Sequence, residues 1–303
     1  VKDLLVLTRH PELPTVAALL RAADDLGIAA RVLLPDELRI LREKPAASTG
    51  ALRIYNADGE ALEPPALVIP RVGSTADEHT ISAVLALEQA GFALVNRAHP
   101  LSRVRSKPNA LMELAGAGFP TLPFAYLRFP QQLAVEARKL GGFPLMVKFI
   151  RGSQGLGVMK VNDLGTASAL VNSFNTLGYD VYLEKCVSRR EKHDLRLIVV
   201  RGRLLAAMRR KPPRGDYRAN VHRGASTTPH TPTSEETELA ERVSRFFKLG
   251  LAGVDLLRTR SGLAVLEVNS SPGLEGISEA TGRNLAREVL LEFYPRLKRK
   301  HSE

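Results

Sequence analysis

The chain predicts an α/β protein, and three features carry that expectation. Between Leu4 and Val95, short apolar strands alternate with stretches of helical periodicity. Further on, apolar strands come in neighbouring runs, Phe143–Phe149 with Val158–Val161 and Gly253–Leu257 with Leu263–Val268. The composition, 44% hydrophobic and 25% charged, is that of a globular chain able to bury a sizeable core. A length of 303 residues corresponds to about two to three domains of ordinary size.

Leu4–Leu7 reads as a buried strand. Val16, Leu19, Leu20, Ala23 and Leu26 recur at helical spacing, Gly27 stops that helix, and Ala30–Leu34 completes a β-α-β unit. Leu67–Ile69 is the next strand, followed by the turn P-R-V-G-S; a helix about Ile81–Gln89 ends at Gly91, and Phe92–Val95 returns as a strand. This is the pattern of a small open α/β domain. No glycine-rich fingerprint follows its first strand, which argues against a dinucleotide site. Arg71 stands just past the carboxyl end of a strand, where open α/β sheets bind ligands.

The character changes at His99. Ser102–Lys107 is a basic stretch, Asn109–Ala117 a helix stopped by Gly118, and Leu133–Leu140 a helix closed by Gly141 and Gly142. The strand Phe143–Phe149 carries Lys148 inside its apolar run, a place costly for a lysine unless an anion meets it. R-G-S-Q-G-L-G-V follows at Arg151–Val158, with Gly152, Ser153, Gly155 and Gly157 leaving backbone amides free to approach phosphate oxygens. Most glycine hairpins are plain turns; one that follows a lysine-bearing strand is a candidate phosphate cover. Ala167–Thr176 reads as a helix and Val181–Val187 as a strand. On that strand Glu184 is placed to accept from a base amine or a ribose hydroxyl, and the main chain at Lys185–Val187 to meet a purine edge. A strand-edge charge facing solvent is the plainer account of Glu184.

Asp194–Val200 alternates and then becomes buried, Arg201–Gly202 turns, and Leu204–Met208 is the paired strand. From Arg201 to Arg223 there are eight Lys and Arg against one acid, Asp216. D-Y-R-A-N-V-H-R-G within it mixes donors of different shapes, as a clamp for phosphate and carboxylate would. Tyr217 is nearly its only aromatic residue, which disfavours stacking on single-stranded nucleic acid. T-S-E-E at Thr233–Glu236 is a capping box opening a helix through Leu249, and a last helix runs from about Arg283 to Glu292.

Between those helices lie G-V-D-L-L and L-E-V-N-S-S-P-G. Side chains alternate along a strand, so Glu267 and Asn269 project one way and Val268 the other. Asp255 sits in an apolar run where a lone carboxylate is costly. Two carboxylates and an amide oxygen from adjacent strands make an all-oxygen set suited to magnesium or manganese. Singly, each fits a solvent-facing strand-end charge equally well; together, on apolar strands, they favour a metal.

With 43 Lys and Arg against 32 Asp and Glu, a net charge of +11 and a pI near 10.0, the chain favours anionic partners. A single cysteine, Cys186, excludes an intramolecular disulfide and a zinc cluster built on cysteines. No apolar run approaches a membrane span and no secretory signal opens the chain, so a cytoplasmic protein is the default expectation.

The strand lysine, the glycine hairpin, D-L-R, D-Y-R-A-N-V-H-R-G, G-V-D-L-L and E-V-N-S-S-P-G-L-E-G-I together resemble the ATP-grasp ligases, and within them the RimK group of α-L-glutamate ligases. The likeness covers essentially the whole chain, V-I-P-R-V-G included. It implies an α+β ATP-grasp fold of three domains: residues 1–98, an N-terminal α/β domain; 99–186, a central subdomain with a glycine-rich lid; and 187–303, a C-terminal subdomain with the metal site. ATP lies between the last two. The resemblance implies that Lys107 and Lys148 hold phosphates under the Gly152–Gly157 lid, that Glu184 and Lys185 sit at adenine, and Asp194 at ribose. Arg218 and Asn220 fall on the phosphate side, and Asp255, Glu267 and Asn269 hold two metal ions, Mg2+ or Mn2+. Lys148, Arg218 and Arg210 are the catalytic candidates; Arg71, Arg196 and Arg210 are those for orienting substrate carboxylates.

The implied reaction converts a carboxylate to an acylphosphate, which an amine then attacks. L-glutamate or another amino acid is the amine, and a protein (a ribosomal protein among them), a peptide or a small acid is the acceptor. The family also implies a homo-oligomer. Two other expectations stand beside this: the same chemistry on a carrier protein or small acidic coenzyme, and a non-catalytic basic RNA- or ribosome-binding protein. The last gives no reason for acids on apolar strands.

Overall fold

The computed structural model describes residues 3–42, 52–64, 66–73, 76–127, 129–149, 158–178, 181–186, 193–213 and 225–295. The amino-terminal part is a parallel sheet. Its strands β1 (Asp3–Leu7), β2 (Ala29–Leu33), β6 (Ala66–Pro70) and β7 (Ala93–Leu94) run in the order β2-β1-β6-β7, with α1 (Pro14–Asp25) and α2 (Glu78–Gln89) as crossovers. Pro14 opens α1 at a position where its missing N–H costs nothing, and Asp77 caps α2 by accepting from the Thr80 amide. Between β2 and β6, three short strands, β3 (Arg39–Leu41), β4 (Arg53–Tyr55) and β5 (Ala61–Leu62), form a separate antiparallel sheet.

The basic stretch after His99 is helical: α3 (Ala98–Arg105) carries Arg103 and Arg105 in its last turn, favourable at a helix C-terminus. Pro108 separates it from α4 (Lys107–Gly116) by standing in the first turn of the second helix. Next come β8 (Phe124–Leu127), α5 (Leu133–Lys139), β9 (Leu145–Phe149), β10 (Val158–Val161), α6 (Leu164–Thr176) and β11 (Val181–Lys185). The strands form an antiparallel sheet, β10-β9-β11-β8, with both helices on the face carrying Leu145, Val147, Val181 and Leu183.

A five-stranded antiparallel sheet completes the structure: β12 (Asp194–Val200), β13 (Arg203–Lys211), β14 (Ser226–Pro229), β15 (Leu251–Thr259) and β16 (Gly262–Asn269), in the order β14-β13-β12-β15-β16. α7 (Ser234–Phe246) opens on the capping box read from the sequence, Thr233 with Glu236. One face, through Leu197, Val199, Val254 and Leu256, packs on α3, α4 and α7. The other, through Ile198, Val200, Met208 and Leu251, packs on β1, α1 and the closing helices α8 (Glu275–Thr281) and α9 (Leu285–Phe293). Each fully buried Leu, Val or Phe contributes about 1.5–3 kcal/mol, so the two faces fix this sheet firmly against both neighbours. Among the described residues no helix is long and apolar enough to cross a membrane.

Candidate functional site

The face of the five-stranded sheet that packs on the amino-terminal part is apolar along only half its length. Towards the start of β12 it turns polar. Directly opposed residues of antiparallel strands share a face. Register therefore puts Arg196, Asp255 and Glu267 in one row across β12, β15 and β16, with Asp194 opposite Arg210 beside it.

A β-bulge decides this row. Leu256 pairs with Val265, but Asp255 pairs with Glu267, leaving Leu266 as the extra residue. Before the bulge the odd-numbered Leu263 and Val265 lie in the helix-covered core; after it the even-numbered Val268 does. Glu267 and Asn269 are thereby turned to the face of Asp255. Gly253 opposes Asn269, and a Cβ there would come within 2.8 Å of Pro272 Cβ and 3.7 Å of Asn269 Cβ, so only glycine leaves this cradle open.

Asp255 is buried and accepts from Arg196 Nε and Nη2 (2.8 Å each) and from Arg210 Nη2 (2.9 Å); Arg210 Nε donates to Asp194 Oδ1 at 2.8 Å. Burial opposes ionisation of Asp255, but Arg196 and then Arg210 outweigh it and hold the carboxyl well below the usual range. Asp194, with one guanidinium to Asp255's two, is pushed up by burial despite Arg210. Of the four acceptor sites of the Asp255 carboxylate, these bonds take three. Lys107, in the first turn of α4, reaches Glu267 Oε1 at 3.0 Å. Asn269 Nδ2 is buried with no partner among the described residues. A hard cation fits this set: it would find the remaining Asp255 acceptor site, the Glu267 carboxylate and the Asn269 amide oxygen, all oxygen donors.

On the helix-free face of the central sheet, Lys148 Nζ meets Glu184 Oε1 at 2.7 Å, and Lys148 lies 5.9 Å from the ring centroid of Tyr182, its neighbour in register. Tyr182 stacks on Phe124 with centroids 5.1 Å apart. Its hydroxyl is buried without a partner among the described residues, and burial, then Glu184, pushes the phenol well above its ordinary pKa. The Lys185 amide donates to the Pro123 carbonyl at 2.9 Å. Gly152, Ser153, Gly155, Gly157, Arg218 and Asn220 lie outside the described residues.

The segment after Asn269 is strapped to the amino-terminal part. Asn96 is buried and uses its whole amide: Nδ2 donates to Leu251 O and Ser270 O (2.8 Å each), while Oδ1 accepts from Gly250 N (2.7 Å) and Leu251 N (3.1 Å). Ser271 Oγ donates to Pro70 O at 3.1 Å and Arg71 Nη1 to Pro272 O at 2.9 Å. Thr15 Oγ1 donates to the Glu275 carboxylate. Asn96, Tyr182 and Glu275 are site-forming residues that sequence reasoning passed over. Only the L-E-G of the recognised string marks one of them.

The RimK-like ATP-grasp domain model matches residues 105–293. The chain belongs to that family. A probable alpha-L-glutamate ligase of Teredinibacter turnerae is 34% identical over 300 residues, covering 98% of this chain and 96% of that protein. One from Maridesulfovibrio salexigens is 33% identical, covering 94% and 93%. Among solved structures, the ATP-grasp ligase PsnB, complexed with a phosphomimetic variant of a minimal precursor, Mg and ADP, superposes with a TM-score of 0.74 at 16% identity over 98% of each chain. D-alanyl-alanine synthetase A of Vibrio cholerae gives 0.69 at 17% identity, again over 98% of each chain. These two likenesses show the fold, which is ATP-grasp. The RimK-like chain is thus an ATP-grasp ligase, and Asp255, Glu267, Lys107, Lys148 and Glu184 all lie within the matched span.

Proposed function

We propose that this ligase joins L-glutamate through its amine to the carboxyl terminus of a protein or peptide, using ATP. The observation that carries the reading is the bulged row of β16. Three oxygen donors share one sheet face there, with the Lys107 ammonium already on one of them. Relatives named probable alpha-L-glutamate ligase across nearly the full chain support the choice of amine. Precursor peptides bound to PsnB favour a peptide-like acceptor.

In this reading residues 99–186 and 187–303 clasp the nucleotide and residues 1–98 close one side of the cleft. A metal ion held by Asp255, Glu267 and Asn269 supplies charge neutralisation at the phosphates. The chain's own groups do the rest. Lys107 and Lys148 give point charges to phosphate oxygens, with Arg218 and Asn220 beside them and the Gly152–Gly157 loop as a lid against water. Glu184 and Lys185 face the base, and Asp194 the ribose side. Arg210 and Arg196 fix Asp255; Arg196, Arg210 and Arg71, the last with its unpartnered Nε, orient substrate carboxylates.

The acceptor carboxylate attacks the γ-phosphorus, the bond to ADP breaks, and an acylphosphate results. The amine of glutamate then attacks the carbonyl, phosphate leaves with the bonding electron pair, and the ammonium proton passes to solvent. The test is ADP release across a panel of amino acids and carboxylate acceptors, with mass spectrometry of the products. A glutamate-dependent mass gain of one residue on a peptide supports the reading. ADP release with carrier proteins or small acids alone would shift the acceptor. Absence of ADP release with every pair, together with steeply salt-dependent RNA binding, would overturn it.

A further inference from the structure

Among the described residues, Arg71 is the arginine of the site whose charge is left under-compensated. Arg196 and Arg210 each face buried carboxylates at hydrogen-bond distance. Among the described residues Arg71 donates to a neutral carbonyl, Pro272 O, and its buried Nε has no partner. Burial pulls its guanidinium down to about 10, and the one acid acting on it, Glu275, is already bonded to Thr15. A buried guanidinium with an open N–H is costly unless an anion completes it, and a carboxylate is the anion whose two oxygens match its fork.

A second open donor lies on the segment that holds Arg71. Asn269 Nδ2 is also buried and unpartnered among the described residues. Pro272 links the two: its carbonyl holds Arg71, and its ring packs with Asn269 Cβ over the bare Cα of Gly253. The strap bonds to Pro70 and Ser270 keep both donors at the seam between the amino-terminal part and the five-stranded sheet. We infer that Arg71 Nε and Asn269 Nδ2 together receive a carboxylate of the substrate that takes no part in bond formation. This rests on the ligase reading above, and it makes Arg71 a determinant of substrate class: an acid binds there and its amide does not.

The carboxylate can come from the amine donor or from the acceptor, so the experiment has two arms, each read as direct binding to the full chain with ADP and Mg2+ present. One arm compares L-glutamate with its two monoamides. The other compares N-acetyl-L-glutamate with its diamide. Wild type is expected to prefer the acid at least tenfold in one arm, and that arm names the source. Arg71→Gln should abolish the preference by weakening the acid and leaving the amide within twofold, while the ADP-induced rise in melting temperature stays as in wild type. Where ligation is measurable, KM for that substrate rises and kcat at saturation stays within about threefold.

Should Arg71→Gln not fold, Arg71→Lys takes its place, since a lysine keeps the charge without the fork and should retain only part of the preference. Equal binding of acid and amide by wild type in both arms overturns the inference. So does an unchanged preference in Arg71→Gln. A protein that binds acid over amide through Arg71 yet releases no ADP with any pair would instead sink the ligase reading and leave this one standing.

Discussion

Replacing Asn96 by alanine tests whether the amino-terminal part holds the strand that carries Glu267 and Asn269 in place. The side chain makes four hydrogen bonds, two given and two received, to the start of β15 and to Ser270 at the end of β16. At roughly 1 kcal/mol net per bond, Asn96→Ala loses about 4 kcal/mol. Domains somewhat smaller than this chain move in melting temperature by roughly 2–4 °C per kcal/mol, so a fall of about 8 °C or more is expected. Asn96→Asp keeps the two accepted bonds but sets a carboxylate against two carbonyls, and should be no better than alanine. Calorimetry or circular dichroism of the three proteins, with and without Mg2+ and ADP, is the assay. Because Ser270 follows Asn269 directly, the variants should also need more Mg2+ for the same nucleotide-induced stabilisation. A melting temperature within a degree of wild type would refute the reasoning, since it would mean that these four groups find other partners at no cost.

Gly253→Ala places a methyl 2.8 Å from Pro272 Cβ; overpacking of this kind costs about 1–3 kcal/mol, seen as a lower urea midpoint at unchanged m-value. Tyr182→Phe removes a buried hydroxyl that has no partner among the described residues and should stabilise the ligand-free protein by about 1 kcal/mol; a lower melting temperature would count against an orphaned hydroxyl. The Asp255 carboxyl is depressed in the folded state by Arg196 and Arg210. Its contribution is therefore complete above the unfolded pKa of about 3.9 and is lost as pH falls toward the folded value. Asp255→Asn, which takes the carboxylate from half-buried Arg196 and leaves buried Arg210 with Asp194 alone, should cost about 3–5 kcal/mol at neutral pH, with the gap to wild type narrowing below about pH 4; a pH-independent gap would contradict the sign.

Much of this was legible before any coordinates. Strong periodicity exposed β1-α1-β2, and the Thr233–Glu236 capping box opens α7 where the sequence places it. What escaped was short or non-local. Strands β3, β4 and β5 are two or three residues long, too brief for alternation to register. The basic residues of α3 hid its buried Ala98, Leu101 and Val104. At the site, chemistry could be read but pairing could not. That Asp255 is a carboxylate in apolar company follows from its neighbours; that Arg196 faces it is a matter of register between β12 and β15, which no local pattern encodes.

Leu266 shows how much can hang on one unremarkable aliphatic residue. Because it is the surplus position in its ladder, shortening the strand there would rotate everything downstream by half a turn. A carboxylate and an amide would be driven into the helix-covered core, and Val268 would be turned out to the face of Asp255. Substituting this leucine should therefore be forgiven far more readily than deleting it. The length of the strand, more than the side chain at this position, decides which residues meet Asp255.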